Sequence, residues 1–116
     1  MAGPKWGVRL SPGAELDFAN ILVWTTAHFG ARQLRVYRDT LLRAIRDLEA
    51  GPEIPGSKKR NEIRRGLYTL HVARGARRGR HFLLYRVTVH HIIEIVRILH
   101  DQMDFRRHTL FLPDDS

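Results

Sequence analysis

The chain contains no cysteine in its 116 residues. That absence removes disulfides, thiolate metal sites and cysteine nucleophiles together, and it fits a reducing cytoplasm. No apolar run approaches the roughly 20 residues of a membrane span, and the opening stretch MAGPKWGVRL has no apolar core of the kind a signal peptide needs. The expectation is a soluble cytoplasmic protein with no membrane association. Aromatic side chains make up only 9% of the chain. Between Lys58 and Arg80 only Tyr68 offers a ring for stacking on a base, so direct sequence-specific DNA binding is not expected.

The composition does support a core. At 43% hydrophobic the chain is long enough to bury one without disulfides or a metal, and a single domain over residues 1–116 is expected. The net charge of +8 calls for an anionic partner. Its distribution is uneven: residues 51–80 hold nine Lys/Arg against two Asp/Glu, whereas the flanking segments are close to balanced. Without interleaved aromatics, this block suits an acidic protein better than a nucleic acid.

In chain order, Trp6–Leu10 alternates as a short strand does. Ser11-Pro12 supplies an N-cap and a proline at the first helical position, with Glu15 and Asp17 where the helix dipole favours acid. Ala14, Phe18, Ile21, Leu22, Thr25 and Phe29 then recur at helical spacing up to Gly30. A second helix from Ala31 presents Leu34, Tyr37, Leu41, Ala44, Ile45 and Leu48 on one side, and Gly51-Pro52 stops it. One glycine between two amphipathic helices predicts an antiparallel hairpin, both stripes facing one sheet. Residues 51–66 read as an irregular basic loop. A three-stranded meander follows: a strand from Leu67, then His81–Val87 and His91–Leu99, with a turn near Val89-His90 that has neither Gly nor Asn. The class is α+β: an N-terminal strand, an antiparallel helix hairpin on a small, mostly antiparallel sheet, and a short C-terminal helical tail.

The last two strands are apolar on both sides. Leu83, Tyr85 and Val87 oppose Phe82 and Leu84, while Ile93 and Ile95 oppose Ile92, Val96 and Ile98. Two helices cover one face, so the other must meet the C-terminal tail, a second subunit or a partner. Trp6 and Trp24 read as core or helix–sheet contacts. His90 and His91, taken as strand neighbours, point to opposite faces and do not form a metal pair. No metal or cofactor is expected.

Several segments resemble the RelE/ParE superfamily of bacterial toxins. They are Leu10-Ser11-Pro12-Gly13-Ala14-Glu15-Leu16-Asp17, Phe29-Gly30, Arg64-Arg65-Gly66-Leu67, Tyr85-Arg86-Val87 and, above all, Ile95-Val96-Arg97-Ile98-Leu99-His100-Asp101-Gln102-Met103-Asp104 with Arg107-His108. The last is similar to the ParE branch, and the resemblance covers almost the whole chain. It implies the toxin of a type II toxin–antitoxin pair, neutralised in a hetero-oligomer by a ParD-like antitoxin with an acidic, apolar-studded tail that folds on binding. It further implies one of two targets: DNA gyrase, trapped on cleaved DNA, or messenger RNA on the ribosome.

Metal-free RNA cleavage needs a base for the 2′-hydroxyl, cations for the phosphate and an acid for the leaving oxygen. No tyrosine follows Tyr85, and Gln102 and His108 stand where RelE-type chains place an arginine and a tyrosine. The expectation is therefore a binding poison with no catalytic residues. A ribonuclease, the alternative, would use His108 as base with Arg106 and Arg107 on phosphate. A third class is a non-toxic binding module of the same fold. Target contact is assigned to His100, Met103, Asp104, Arg106, Arg107 and His108, with His100 also expected to hydrogen-bond backbone and order the tail. Antitoxin contact is assigned to Arg64, Tyr85, Arg86 and Arg97. Arg86 is equally placed to pair with Glu94 across the hairpin, and Arg97 to form an intramolecular ion pair.

Overall fold

A computed structural model describes residues 3–103. Five strands and one broken helix follow in the order β1 (Gly7–Leu10), α1 (Pro12–Asp47), β2 (Ser57–Lys59), β3 (Leu67–His71), β4 (His81–Thr88) and β5 (Ile92–His100), with a 3-10 turn at Leu48–Ala50. The sheet order is β1-β5-β4-β3-β2. Only β1 on β5 runs parallel; the other pairs are antiparallel.

Ser11 caps α1: its Oγ accepts from the Ala14 N–H at 3.1 Å and donates to the Val96 carbonyl at 2.8 Å, fixing the helix start to β5. The helix is interrupted at Gly30, where φ is 86° and ψ 177°. A straight helix over 36 residues would run about 54 Å. Yet the Trp6 N–H donates to Glu49 O at 2.9 Å, and Trp6 lies within about 20 Å of Pro12 along the chain. The two ends of α1 are therefore close together and the chain folds back at Gly30. Residues 12–29 and 31–47 are the two arms of the expected hairpin.

Both arms pack on one face of the sheet. Ala14 from the first arm and Leu41 and Ala44 from the second meet Leu48, Leu70, Val72, Leu83, Tyr85, Ile93, Ile95 and Ile98 in a single buried cluster. Each fully buried Leu or Ile there contributes about 1.5–3 kcal/mol. The opposite face carries a smaller cluster of Leu67, Leu84, Val96 and Leu99, with Ile63 of the 60–66 loop against it.

The structure departs from the sequence reading at four points. The basic segment contains a strand, β2, whose three residues pair with β3; its Lys58 and Lys59 suit an exposed sheet edge. A register shift between Leu84 and Tyr85 inserts Val96 as an extra residue in β5, so Ile98 joins the helix-side core instead of the opposite face. His90 and His91 occupy the β4–β5 turn with φ of 61° and 62°, the left-handed conformation that a tight hairpin demands and that histidine tolerates better than most residues. Trp24 and Phe29 are 55% and 63% exposed, not core. On the second sheet face, which the sequence reading left to the tail, a second subunit or a partner to cover, the four side chains of the cluster are buried. Trp6 does reach the core, stacking on His91 with ring centroids 3.7 Å apart.

Candidate functional site

Where β5 ends, side chains from four elements converge. Tyr37 of the second arm meets His81 at the start of β4, Oη to Nδ1 at 2.6 Å, and the same hydroxyl accepts the Arg80 backbone N–H at 3.0 Å. The phenol accepts from Arg80, so its own hydrogen goes to His81 Nδ1, leaving the imidazole proton on Nε2. Burial, then the nearby His100, lowers the His81 pKa to about 4, which keeps the ring neutral; burial also raises that of Tyr37. His100 lies against His81, the ring centroids 5.2 Å apart.

Asp101 closes this end. His71 Nε2 donates to its Oδ2 at 3.1 Å, while His71 Nδ1 accepts the Ala73 N–H at 3.0 Å. Arg80 Nε reaches Oδ1 at 3.4 Å, and the Asp101 N–H donates to Arg80 O at 2.7 Å. The hydrogen bond from His71 is the main reason the Asp101 pKa lies below its ordinary value. His100 Nδ1 accepts the Gln102 N–H at 3.2 Å, and the Met103 N–H donates to His100 O at 3.0 Å. His100 thus orders the start of the tail through backbone, as its position at the strand end suggested.

The other end of the sheet holds a charge ladder on the face away from α1. Glu94 accepts from Arg86 (Nε at 3.1 Å, Nη2 at 3.0 Å), its cross-strand partner, and lies 3.4 Å from Arg9 Nε on β1. The Glu94 side chain is only 14% exposed, so the Arg86 pair is well shielded. In the adjoining loop Arg60 Nε donates to Thr69 Oγ1 at 2.9 Å, and Arg64 is half-buried.

Arg97 belongs to neither group. It grips Asp17 of α1, Nε to Oδ2 at 2.7 Å and Nη2 to Oδ1 at 3.0 Å, and that hydrogen bonding raises its pKa. Tyr85 is fully buried and donates to Pro52 O at 2.6 Å, burial pushing its pKa up to about 12. Tyr85 has no surface to offer, and Arg97, though partly exposed, commits its guanidinium to Asp17, whereas Arg64 and Arg86 lie beside the second face. Of the target-contact set, His100 and the exposed Met103 adjoin the strand-end cluster; Asp104, Arg106, Arg107 and His108 lie outside the described residues.

Sequence reasoning assigned no role to His71 or His81 and missed their grouping with Tyr37, Arg80 and Asp101. The available signal was strand pairing: His81 faces His100, and His71 faces Phe82 one residue along. Among the described residues no three His, Asp or Glu side chains are arranged to hold a metal ion, and no helix is long and apolar enough to cross a membrane.

Known proteins share this fold. The sequence profile of the ParE toxin of the type II toxin–antitoxin system parDE matches residues 8–105. Toxin ParE1 of Mycobacterium tuberculosis is 36% identical over 98 residues, covering 84% of this chain and 92% of that protein. Toxin ParE1 of Caulobacter vibrioides is 33% identical over 100 residues, covering 86% and 94%. Among solved structures, the chromosomal ParDE system from P. aeruginosa superposes with a TM-score of 0.60 at 17% identity over 83% of this chain and 96% of that one. The RelBE2 toxin–antitoxin complex of Mycobacterium tuberculosis gives 0.54 at 23% identity, over 84% and 92%. These last two establish the fold. With the profile spanning most of its length and relatives above 30% identity, the chain belongs to the ParE toxin family of type II toxin–antitoxin systems.

Proposed function

We propose that this toxin acts by binding: it engages DNA gyrase, traps it on cleaved DNA, and is neutralised by a small antitoxin with an acidic tail. The observation that carries the reading is the closed state of the strand-end cluster. Nδ1 of His71, His81 and His100 each accepts a hydrogen bond from within the chain, and Tyr37 spends its hydroxyl proton on His81. Groups so pinned hold structure; a general base for a 2′-hydroxyl needs an open acceptor.

The second sheet face, rimmed by Arg64 and Arg86, is the surface we assign to the antitoxin. Arg97 and Tyr85 serve it indirectly by holding α1 and the 52–57 loop in place. Acidic side chains approaching this rim would compete with Glu94 for Arg86.

The test is gyrase supercoiling with linear DNA scored alongside, run in parallel with messenger cleavage on programmed ribosomes. Lost supercoiling with accumulated linear DNA is the expected result. Cut messenger with untouched gyrase would replace the proposal with a ribonuclease built on His108, Arg106 and Arg107. Growth unaffected by expression without antitoxin would leave a non-toxic binding module.

A further inference from the structure

Where the helix hairpin turns, exposed aromatic rings meet positive charge that no neighbouring acid in sequence offsets. From Phe18 through Arg38 the sequence holds three arginines and no Asp or Glu. Trp24 and Phe29, at the end of the first arm, are 55% and 63% exposed. They form one group with His28, which stacks on Trp24 with ring centroids 4.1 Å apart and planes 21° from parallel, while Phe29 meets Trp24 edge-on at 5.7 Å. His28 Nδ1 donates to Trp24 O at 2.8 Å and so holds the stack in place. Arg32 follows Phe29 by three residues across the break at Gly30, which keeps their Cα atoms within about 11 Å. Arg35 stands one turn further along the same side of the second arm. Both arginines are exposed and without an ion pair among the described residues.

A partner for this surface must bring flat apolar faces to the rings and negative charge to the arginines. Unpaired nucleotides carry both in every unit, a base and a phosphate, and stacking on aromatic side chains is indifferent to which base is present. A duplex hides its base faces and presents mainly phosphate to a surface of this kind. An acidic peptide brings charge without planar faces, and it finds exposed arginines away from the rings at Arg43 and Arg46. The basic block at 51–80 differs on this point: between Lys58 and Arg80 its one ring of this kind, Tyr68, is already stacked on Tyr85 at 5.4 Å.

We propose that the hairpin tip binds single-stranded DNA, unpaired bases stacking on Trp24, His28 and Phe29 while Arg32 and Arg35 take neighbouring phosphates, without sequence preference. The choice of DNA over RNA rests on the gyrase reading, in which the toxin meets DNA held at a break. The contact uses neither the second sheet face nor the tail, so it holds or fails independently of the antitoxin and target assignments made there.

Two tryptophans give a direct readout, since Trp6 is packed on His91 and Trp24 is exposed. The full chain freed of antitoxin, titrated with an oligothymidylate of about 16 nucleotides, is expected to lose tryptophan emission saturably. Trp6→Phe should keep this quenching and Trp24→Phe should lose it. Trp24→Ala with Phe29→Ala should raise the dissociation constant about tenfold or more. Arg32→Ala with Arg35→Ala should flatten the dependence of log Kd on log salt by about 1.4, whereas Arg43→Ala with Arg46→Ala should leave it unchanged. Circular dichroism checks that each variant is folded. Quenching that survives in Trp24→Phe, an unaltered salt slope in the Arg32 and Arg35 variant, tighter binding of the matching oligouridylate, or ring variants that keep DNA affinity but release antitoxin would overturn the proposal. Supercoiling measured on the same preparations separates the two readings. DNA binding with untouched gyrase retains the tip and removes the gyrase poison; inhibited gyrase without DNA binding does the reverse.

Discussion

Asp17 and Arg97, 80 residues apart in sequence, form a two-point ion pair at 2.7 and 3.0 Å, and the same Asp17 oxygen takes the Ile98 N–H at 2.9 Å. One carboxylate thereby fixes the first arm of α1 to β5 just past the bulge. The Asp17 side chain is largely buried and that of Arg97 partly so. Removing one partner strands the other in a low-dielectric setting. Asp17→Ala should therefore destabilise the fold by about 2–3 kcal/mol, below the figure for fully buried pairs because the guanidinium retains some water. Urea unfolding of Asp17→Ala, Arg97→Leu and the double variant should show coupling above about 1 kcal/mol. Additive effects would mean the pair is incidental to stability.

Gly30 gives a prediction of a different kind. Its φ of 86° with ψ of 177° is territory that only glycine enters readily, while the space around its Cα is empty. Gly30→Ala should accordingly cost about 1–3 kcal/mol through backbone strain alone. The variant should keep its native circular dichroism and lose urea midpoint. A midpoint within error of wild type would show that the hairpin tip can turn in another way.

The reach of sequence reasoning follows from where information is local. Ser11-Pro12, Gly30 and Gly51-Pro52 act on their immediate neighbours, so the helix limits and the fold-back were legible. Alternation placed Leu83, Tyr85, Ile93 and Ile95 on one face correctly, but the extra residue Val96 reset the phase and moved Ile98. No local signal announces a bulge. The Arg86–Glu94 pair could be read because a hairpin fixes its own register; Arg97–Asp17 could not, because a helix and a distant strand share none. The Tyr37–His81 bond was hidden for the same reason, joining residues 44 positions apart.

The burial of His81 makes stability depend on pH. The pKa of His81 is about 4 in the fold, lowered by burial from an ordinary 6.5. As pH falls below 6.5 the unfolded chain takes up a proton that the folded one refuses, so stability is complete above that value and declines down to about 4. Asp101, its pKa also lowered, acts in the same direction at the acid end of this window. Between pH 7 and pH 5 the His81 share should be about 1–2 kcal/mol after discounting for its partial exposure. His81→Gln should be less stable at pH 7 and should lack this decline when urea midpoints are compared across the range. An identical pH slope in both proteins would place the titrating group elsewhere.

The final prediction concerns Arg106 and Arg107, which follow the ordered turn at His100–Met103. If toxicity is a binding event, its affinity and encounter rate respond to charge where the surfaces meet, and reversing two arginines replaces two attractive contacts with repulsive ones. Arg106→Glu with Arg107→Glu should thus weaken gyrase inhibition by about ten- to a hundredfold while antitoxin still binds. Antitoxin binding and urea unfolding, measured on the same preparation, separate loss of target contact from loss of fold. A folded, antitoxin-competent double variant that still arrests growth at wild-type dose would move the target surface away from the tail. The rim of the second face, at the half-buried Arg64 and Arg86, would then be the next surface to reverse.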